Sequence, residues 1–505
     1  MRLRGIAIIS LGALALSSGV GDARADNPHG PKVDDRVAFA ADVSAPTAPI
    51  RVIVFGKSVG GRKNPELSAT SQLYPQATAG TVTAAQLDRL AGDSNVAFIA
   101  PDIAVEPLGR GETPPSGPSG MTFPALATLY PVVDNAPAAW AQGYTGAGQG
   151  IAVIDSGTTK DDLGPRLKDS AGANHGKDAY GHGMLVSHIA AGSSADGSYV
   201  GIAPGADIVS YNVDSGAGAY TSDLIDGLIW VVANQARYNI KVVNISLGET
   251  LPSSATQNLL DSVIEELQQS FGILVVTSAG NLGPNSMLFA PANDPFAMSV
   301  GATDTMGTVA SGDDALTPWS SYGTTPDGYA KPEIVAPGRR ITSYLSPDTV
   351  LGAQAPAENW SATRNYASIS GTSFSAPQVA GAAAVLFQAH PTWTPGQVKW
   401  VLANTARAVG GSTAGSLDLG AALAYRGTPP DANAGLAPSA FGLADWVSAA
   451  LQGDQAGWKQ SSWTQSSWTQ SSWTQSSWTQ SSWTQSSWTQ SSWTQASWTL
   501  ASWEK

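Results

Sequence analysis

Between residues 151 and 406 the chain alternates short apolar runs, rich in β-branched residues, with longer runs of helical spacing. That alternation restricts the fold more than any other feature. Strands are expected at residues 151–154, 208–213, 242–245, 273–277 and 296–300, and helices at 184–191, 221–238, 255–271, 373–388 and 394–405. Strands that are apolar throughout need cover on both faces, and a helix between successive strands supplies the crossover that parallel pairing requires. The expected architecture is therefore α/β: a mostly parallel sheet with helices on both faces. The 54 glycines and the charged fraction of 13% suit a closely packed domain with many tight turns.

In open sheets of this kind, functional groups gather at the carboxyl ends of strands. Asp155 stands at such an end, in Ile-Ala-Val-Ile-Asp-Ser-Gly. His182 lies in Tyr-Gly-His-Gly, where the flanking glycines let other backbone approach closely, just ahead of a helical run. Ser373 lies in Gly-Thr-Ser-Phe-Ser-Ala-Pro, at the start of a run of small apolar residues that reads as a buried helix. Unpaired N–H groups and positive partial charge at a helix amino end would stabilise an oxyanion formed beside that serine. Each residue alone has an ordinary reading, as a turn former, a structural histidine or a loop serine. Together they supply a nucleophile, a base and a carboxylate to orient the base, the groups that acyl transfer needs.

The motifs also carry a resemblance. Across roughly residues 130–425 the chain resembles the subtilases, the subtilisin-like serine peptidases. The matching segments are VIDSG around Asp155, YGHG around His182, SLG at 246–248, SAGN at 278–281 and GTSFSAP around Ser373. Weaker echoes are VGIAPGA at 200–206, KPEIVAPG at 331–338 and HPTWTPGQVKWVL at 390–402. The chain order Asp, His, Ser is that of the subtilisin triad. The resemblance implies a subtilisin-like sheet, with Ser373 as nucleophile, His182 as general base and acid, Asp155 as its orienting partner and Asn281 as an oxyanion donor. It implies backbone recognition of an extended peptide by Gly216, Ala217 and Gly218 on one side and Ser246, Leu247 and Gly248 on the other, by strand addition. Phe289 reads equally as a lining of the primary specificity pocket or as core. One departure is visible: Met184 and Leu185 follow His182-Gly183 where the family usually has Thr-His. No cofactor is needed for catalysis. Structural calcium is common in the family, and Asp162 and Asp196 fall in the relevant regions, but Ala195 stands where a side-chain ligand is often found.

The flanks extend this reading. Residues 1–25 have a basic start with Arg2 and Arg4, a short apolar run and Ala23-Arg24-Ala25, the three parts of a secretory signal peptide. No later stretch is apolar enough to span a bilayer. Residues 34–107 read as a small α+β domain, with strands at 51–55 and 95–99 and a helix at 83–90. Its place before the catalytic unit resembles the inhibitory propeptide of subtilases. Residues 108–124 form a linker in which processing would occur, and 125–425 the catalytic domain. Residues 426–457 form a second linker. In residues 458–505 Ser-Ser-Trp-Thr-Gln repeats, with Trp458, Trp463, Trp468 and each fifth residue after them up to Trp503. A period of five gathers the rings on one face of neither helix nor strand, which points to a disordered tail. Evenly spaced indoles also suit adhesion to polysaccharide or to one another.

Cysteine is absent, which removes disulfides and thiol catalysis. A net charge of −13 argues against nucleic acid as a partner. The leading expectation is a secreted or cell-envelope serine endopeptidase, made as a self-processing zymogen, with polypeptide substrates and its own propeptide as inhibitor. The rival is an envelope-associated binding protein whose subtilase domain carries the Trp-rich tail. A cytoplasmic amidase or esterase on the same triad is a third reading, opposed by the leader.

Overall fold

The computed structural model describes residues 27, 29–30, 32–56, 66–74, 77–107, 128–216 and 218–439. The leader, residues 108–124, Ala217 and the Trp-rich tail lie outside them, as does the second linker beyond residue 439. The described residues divide into two compact units, with the boundary after Asp102.

The first unit is a four-stranded antiparallel sheet with two helices. Its strands are β1 (Ile50–Gly56), β2 (Ser68–Tyr74), β3 (Ala77–Val82) and β4 (Val96–Pro101), in the order β2-β3-β1-β4. The helix expected at 83–90 runs Ala84–Gly92 and begins with a capping box, Thr83 accepting from Gln86 N while Gln86 Oε1 accepts from Thr83 N. Its Leu87 and Leu90 share a core with Val37, Ala40 and Ala41 of the helix Asp35–Val43 and with Val52, Val54 and Ile99 of the sheet.

The second unit opens with β5 (Ala104–Glu106) and continues through β6 (Gly150–Asp155), β7 (Leu167–Gly172), β8 (Asp207–Asn212), β9 (Ala219–Tyr220), β10 (Ile240–Ile245), β11 (Gly248–Glu249), β12 (Leu274–Ser278), β13 (Met298–Asp304) and β14 (Ala315–Leu316). An eight-stranded sheet runs β14-β13-β12-β10-β6-β8-β7, with Ile334–Pro337 also paired to β13. Every pairing in it is parallel except β13 with β14. Strand β6 is buried throughout and faces two layers. Ile151 and Val153 join the core built with Val379, Ala383 and Phe387 of the helix Ala376–Ala389. Ile154 meets the helix Thr221–Tyr238, where a Cβ on Gly227 would lie 3.2 Å from Ile154 Cγ2. The expected α/β architecture is thus present.

Three differences from the sequence reading have local causes. The run at 255–271 splits into a 3₁₀ turn Ala255–Gln257 and a helix Leu259–Ser270, because the Asn258 side chain accepts from Leu260 N and Asp261 N and starts the helix there. Ser373 is not in the long helix but in the single 3₁₀ turn Thr372–Phe374 before it. Ser375 ends that turn, donating its hydroxyl to the Ala336 and Pro337 carbonyls, and Pro377 enters the helix in its first turn, where an N–H has no helical partner. Finally, β7 has the sequence Leu-Lys-Asp-Ser-Ala-Gly and is largely half-exposed at the sheet edge, so it carries no apolar pattern to read.

Candidate active site

Asp155 closes β6, and its side chain is wholly buried. His182 opens the helix His182–Ala191 and donates from Nδ1 to Asp155 Oδ1 at 2.8 Å and Oδ2 at 3.0 Å. Burial by itself would lower the His182 pKa. The Asp155 charge, the hydrogen bond to Asp155 and the Asp178 charge outweigh it, so the net displacement is upward. The opposite ring nitrogen, Nε2, is buried without a hydrogen-bond partner. The imidazole is therefore held in orientation at one edge with its basic nitrogen uncommitted at the other.

Ser373 lies 3% exposed in its turn, and its hydroxyl donates to the Ser246 carbonyl at 3.2 Å rather than to His182. Ser246 returns a bond, its hydroxyl donating to the Ser373 carbonyl at 3.0 Å. The structure thus joins Asp155 to His182 directly, and Ser373 to Ser246. The next residue bridges the two halves: the Phe374 ring lies 5.4 Å from the His182 ring, tilted by 51°.

Asn281 follows the end of β12. Its Oδ1 accepts from Thr372 N at 2.8 Å and Thr372 Oγ1 at 3.0 Å, while Thr372 Oγ1 accepts from Gly280 N at 3.1 Å. With the carbonyl end anchored, the amide nitrogen lies on the Gly371 side, 3.7 Å from where a Cβ of Gly371 would stand. Gly371 has φ 155° and ψ 154°, a conformation closed to residues with a side chain.

The segments named for peptide recognition border a small antiparallel sheet ordered β11-β5-β9. Gly248 pairs with Glu106 and Glu249 with Val105, while Val105 pairs with Ala219 and Ala104 with Tyr220. Ser246 and Leu247 lead into β11, and Gly218 leads into β9. Gly216 sits in the exposed turn before it, its N–H donating to Asp214. Ala217 is outside the described residues. Phe289 is half-buried beside Ala290, whose carbonyl accepts from Glu249 N.

The Met184 and Leu185 departure is absorbed by packing. Leu185 joins the main core, and Met184 Sδ accepts from Ser346 N at 3.3 Å. Asp162 accepts from the Tyr366 hydroxyl at 2.6 Å, and Asp196 Oδ1 accepts from Ser194 and Ser198 within its own loop. Among the described residues no group of three or more His, Asp or Glu is gathered for a metal.

Sequence reading missed Asp178, Ser156, Thr372 and Phe374. Asp178 had a signal: an acidic residue four places before His182, where it caps the coming helix by accepting from Gly181 N and Met184 N.

The comparisons agree with this geometry. The family model described as "Subtilase family" matches residues 139–433. Subtilisin NAT of Bacillus subtilis subsp. natto is 32% identical over 352 residues, covering 67% of this chain and 77% of that protein. Subtilisin Savinase of Lederbergia lenta is 35% identical over 280 residues, covering 54% of this chain and 89% of its own. Among solved structures, fervidolysin from Fervidobacterium pennivorans, described as a keratinolytic enzyme related to subtilisin, aligns with a TM-score of 0.59 at 22% identity. That alignment covers 75% of this chain and 61% of fervidolysin. The chain therefore belongs to the subtilase family, the subtilisin-like serine peptidases.

Proposed function

We propose that the protein hydrolyses peptide bonds in extended polypeptides through Asp155, His182 and Ser373. The observation that carries this reading is the buried Asp155–His182 bond, whose far nitrogen is left unpaired in the same core as the Ser373 turn. On substrate entry the Ser373 hydroxyl leaves the Ser246 carbonyl and gives its proton to His182 Nε2 as Oγ attacks the scissile carbonyl. Asp155 stabilises the imidazolium that results. Asn281 Nδ2 and the Ser373 backbone N–H receive the oxyanion. His182 then gives the proton to the departing amine, and water resolves the acyl-enzyme by the reverse route.

Two further readings go with this one. The substrate strand lies between β9 and β11, and what supports this is that the chain's own β5 already occupies the place as a paired strand. The protein is exported and made as a zymogen: the leader supports export, and among the described residues no helix is long and apolar enough to cross a membrane. Glu106, the last described residue of β5, pairs with Gly248, and Ser246, the residue that holds the Ser373 hydroxyl, lies two residues before Gly248 in the chain. The linker at residues 108–124, outside the described residues, is where the chain is expected to be cut. Intact mass and amino-terminal sequencing of the full-length protein beside Ser373→Ala, each treated with a fluorophosphonate, test the reading. Self-cleavage within residues 108–124 and labelling at Ser373 in the parent alone support it; an unlabelled, uncut parent overturns it.

A further inference from the structure

Three backbone segments meet behind the site with no room for side chains between them. A Cβ on Gly183 would stand 2.2 Å from the Gly157 carbonyl oxygen, and one on Gly157 would stand 2.7 Å from the Gly176 oxygen and 2.9 Å from Asp178 N. Asp178 bonds across this junction. Its Oδ1 accepts from Ser156 Oγ at 2.9 Å, Tyr180 N at 3.1 Å and Gly181 N at 2.6 Å, and its Oδ2 accepts from Met184 N at 2.7 Å. Ser156 completes the link: its Oγ accepts from Gly183 N at 2.9 Å, and its own N–H donates to Asp155 Oδ1 at 2.7 Å. One carboxylate thus ties the first turn of the His182 helix to Ser156, the residue that follows Asp155 at the end of β6.

We propose that Asp178 is a positioning residue that must be ionised for the triad to work, so that activity in acid is lost through two protonations, at His182 and at Asp178. The chemistry of its neighbours requires this. All four partners are donors, and an ionised carboxylate accepts from all of them. A protonated one carries an O–H that faces the same donors. A proton on Oδ2 faces Met184 N and leaves that helix N–H without its acceptor, which loosens the helix start against Asp155. A proton on Oδ1 reverses the Ser156 bond, so that Ser156 accepts from Asp178 and its own O–H loses its partner.

The ionisable groups around Asp178 act in one direction. Asp155 lies on β6, Tyr180 follows in the loop, and His182 stands on the helix; Lys177 is exposed. Burial, opposed by the Gly181 and Met184 hydrogen bonds and reinforced by the Asp155 charge, brings the Asp178 pKa up to about 7. The proton therefore arrives within the range where a peptidase of this kind would work.

This inference rests on the triad reading above, and its test separates the two. The rate of fluorophosphonate labelling at Ser373 is measured from pH 5 to 9 on the full-length protein, on Asp178→Asn and on Ser156→Ala, with circular dichroism to report folding. In the parent, the logarithm of the rate should fall towards acid with a slope approaching two. Asp178→Asn should label about a hundredfold more slowly at its plateau, with a slope of one and an unchanged spectrum. Ser156→Ala, which leaves Asp178 ionisable, should keep the slope of two. A slope of one in the parent, or a parent-like plateau in folded Asp178→Asn, overturns the proposal. If Asp178→Asn fails to fold, the parent's slope still decides. Absence of labelling at every pH would instead remove the triad reading, and this inference with it.

Discussion

Two buried polar clusters in the second unit differ in how completely their polar atoms are paired. In the first, Lys331 Nζ donates to the Asp294 and Ala297 carbonyls and to Glu333 Oε1, and Lys399 Nζ donates to the Pro295, Phe296 and Ala297 carbonyls and lies 2.8 Å from the same Glu333 oxygen. Glu333 Oε2 accepts from Ser299 N. Each ammonium proton has an acceptor, and the cluster fastens residues 294–297 to β13 and its neighbour strand. In the second, Asp155, His182 and Ser373 are as deeply placed, yet His182 Nε2 has no partner and the Ser373 hydroxyl is parked on a carbonyl it can leave. An unsatisfied buried nitrogen costs stability. Buried atoms without a partner occur elsewhere, His188 Nε2 among them, so what sets the second cluster apart is an open His182 Nε2 on a ring whose other edge is held by Asp155.

The contrast can be broken from either side. The largest expected effect is on chemistry: Ser373→Ala should lower kcat by about 10⁶-fold, the scale found when triad groups of a subtilisin are removed, with little change in melting temperature. Asn281→Ala should lower kcat by about 10²–10³-fold at nearly constant KM, measured on a peptide substrate. On the other side, Glu333→Ala leaves two buried ammonium groups facing each other. It should cost about 3–5 kcal/mol in urea unfolding while the protein that remains folded keeps its kcat. The smallest effect tests the seam between scaffold and site: Thr372→Val removes the hydroxyl that binds Asn281 Oδ1 and Gly280 N. It should cost about 1–3 kcal/mol, divided between unfolding free energy and kcat. Equal losses of kcat in Glu333→Ala and Asn281→Ala would erase the distinction.

The sequence was most legible where side-chain chemistry and strand pattern coincide. Asp155 could be placed because four apolar residues precede it, and the helix Thr221–Tyr238 because Leu224, Ile225, Leu228 and Val231 repeat at helical spacing. What stayed hidden was of two kinds. Edge strands such as β7 are half-exposed and lack a pattern. Supporting residues such as Thr372 act on segments distant in the chain, here Gly280 and Asn281, and no local spacing announces such a partner. The turn holding Ser373 was misplaced into the following helix for a similar reason: Ser375, which separates them, bonds to Ala336 and Pro337.

The carboxylate clamp at Asp178 also sets activity against durability. In the unfolded chain an aspartate gives up its proton near pH 4, whereas in the folded chain it holds it to about 7. Between those values the folded state binds the extra proton, so stability falls as pH rises through the window, by an amount on the order of 4 kcal/mol from this one group. This one group therefore favours the folded state most in mild acid, where the proposed clamp is protonated, and its contribution is given up on moving to neutral pH, where the carboxylate ionises.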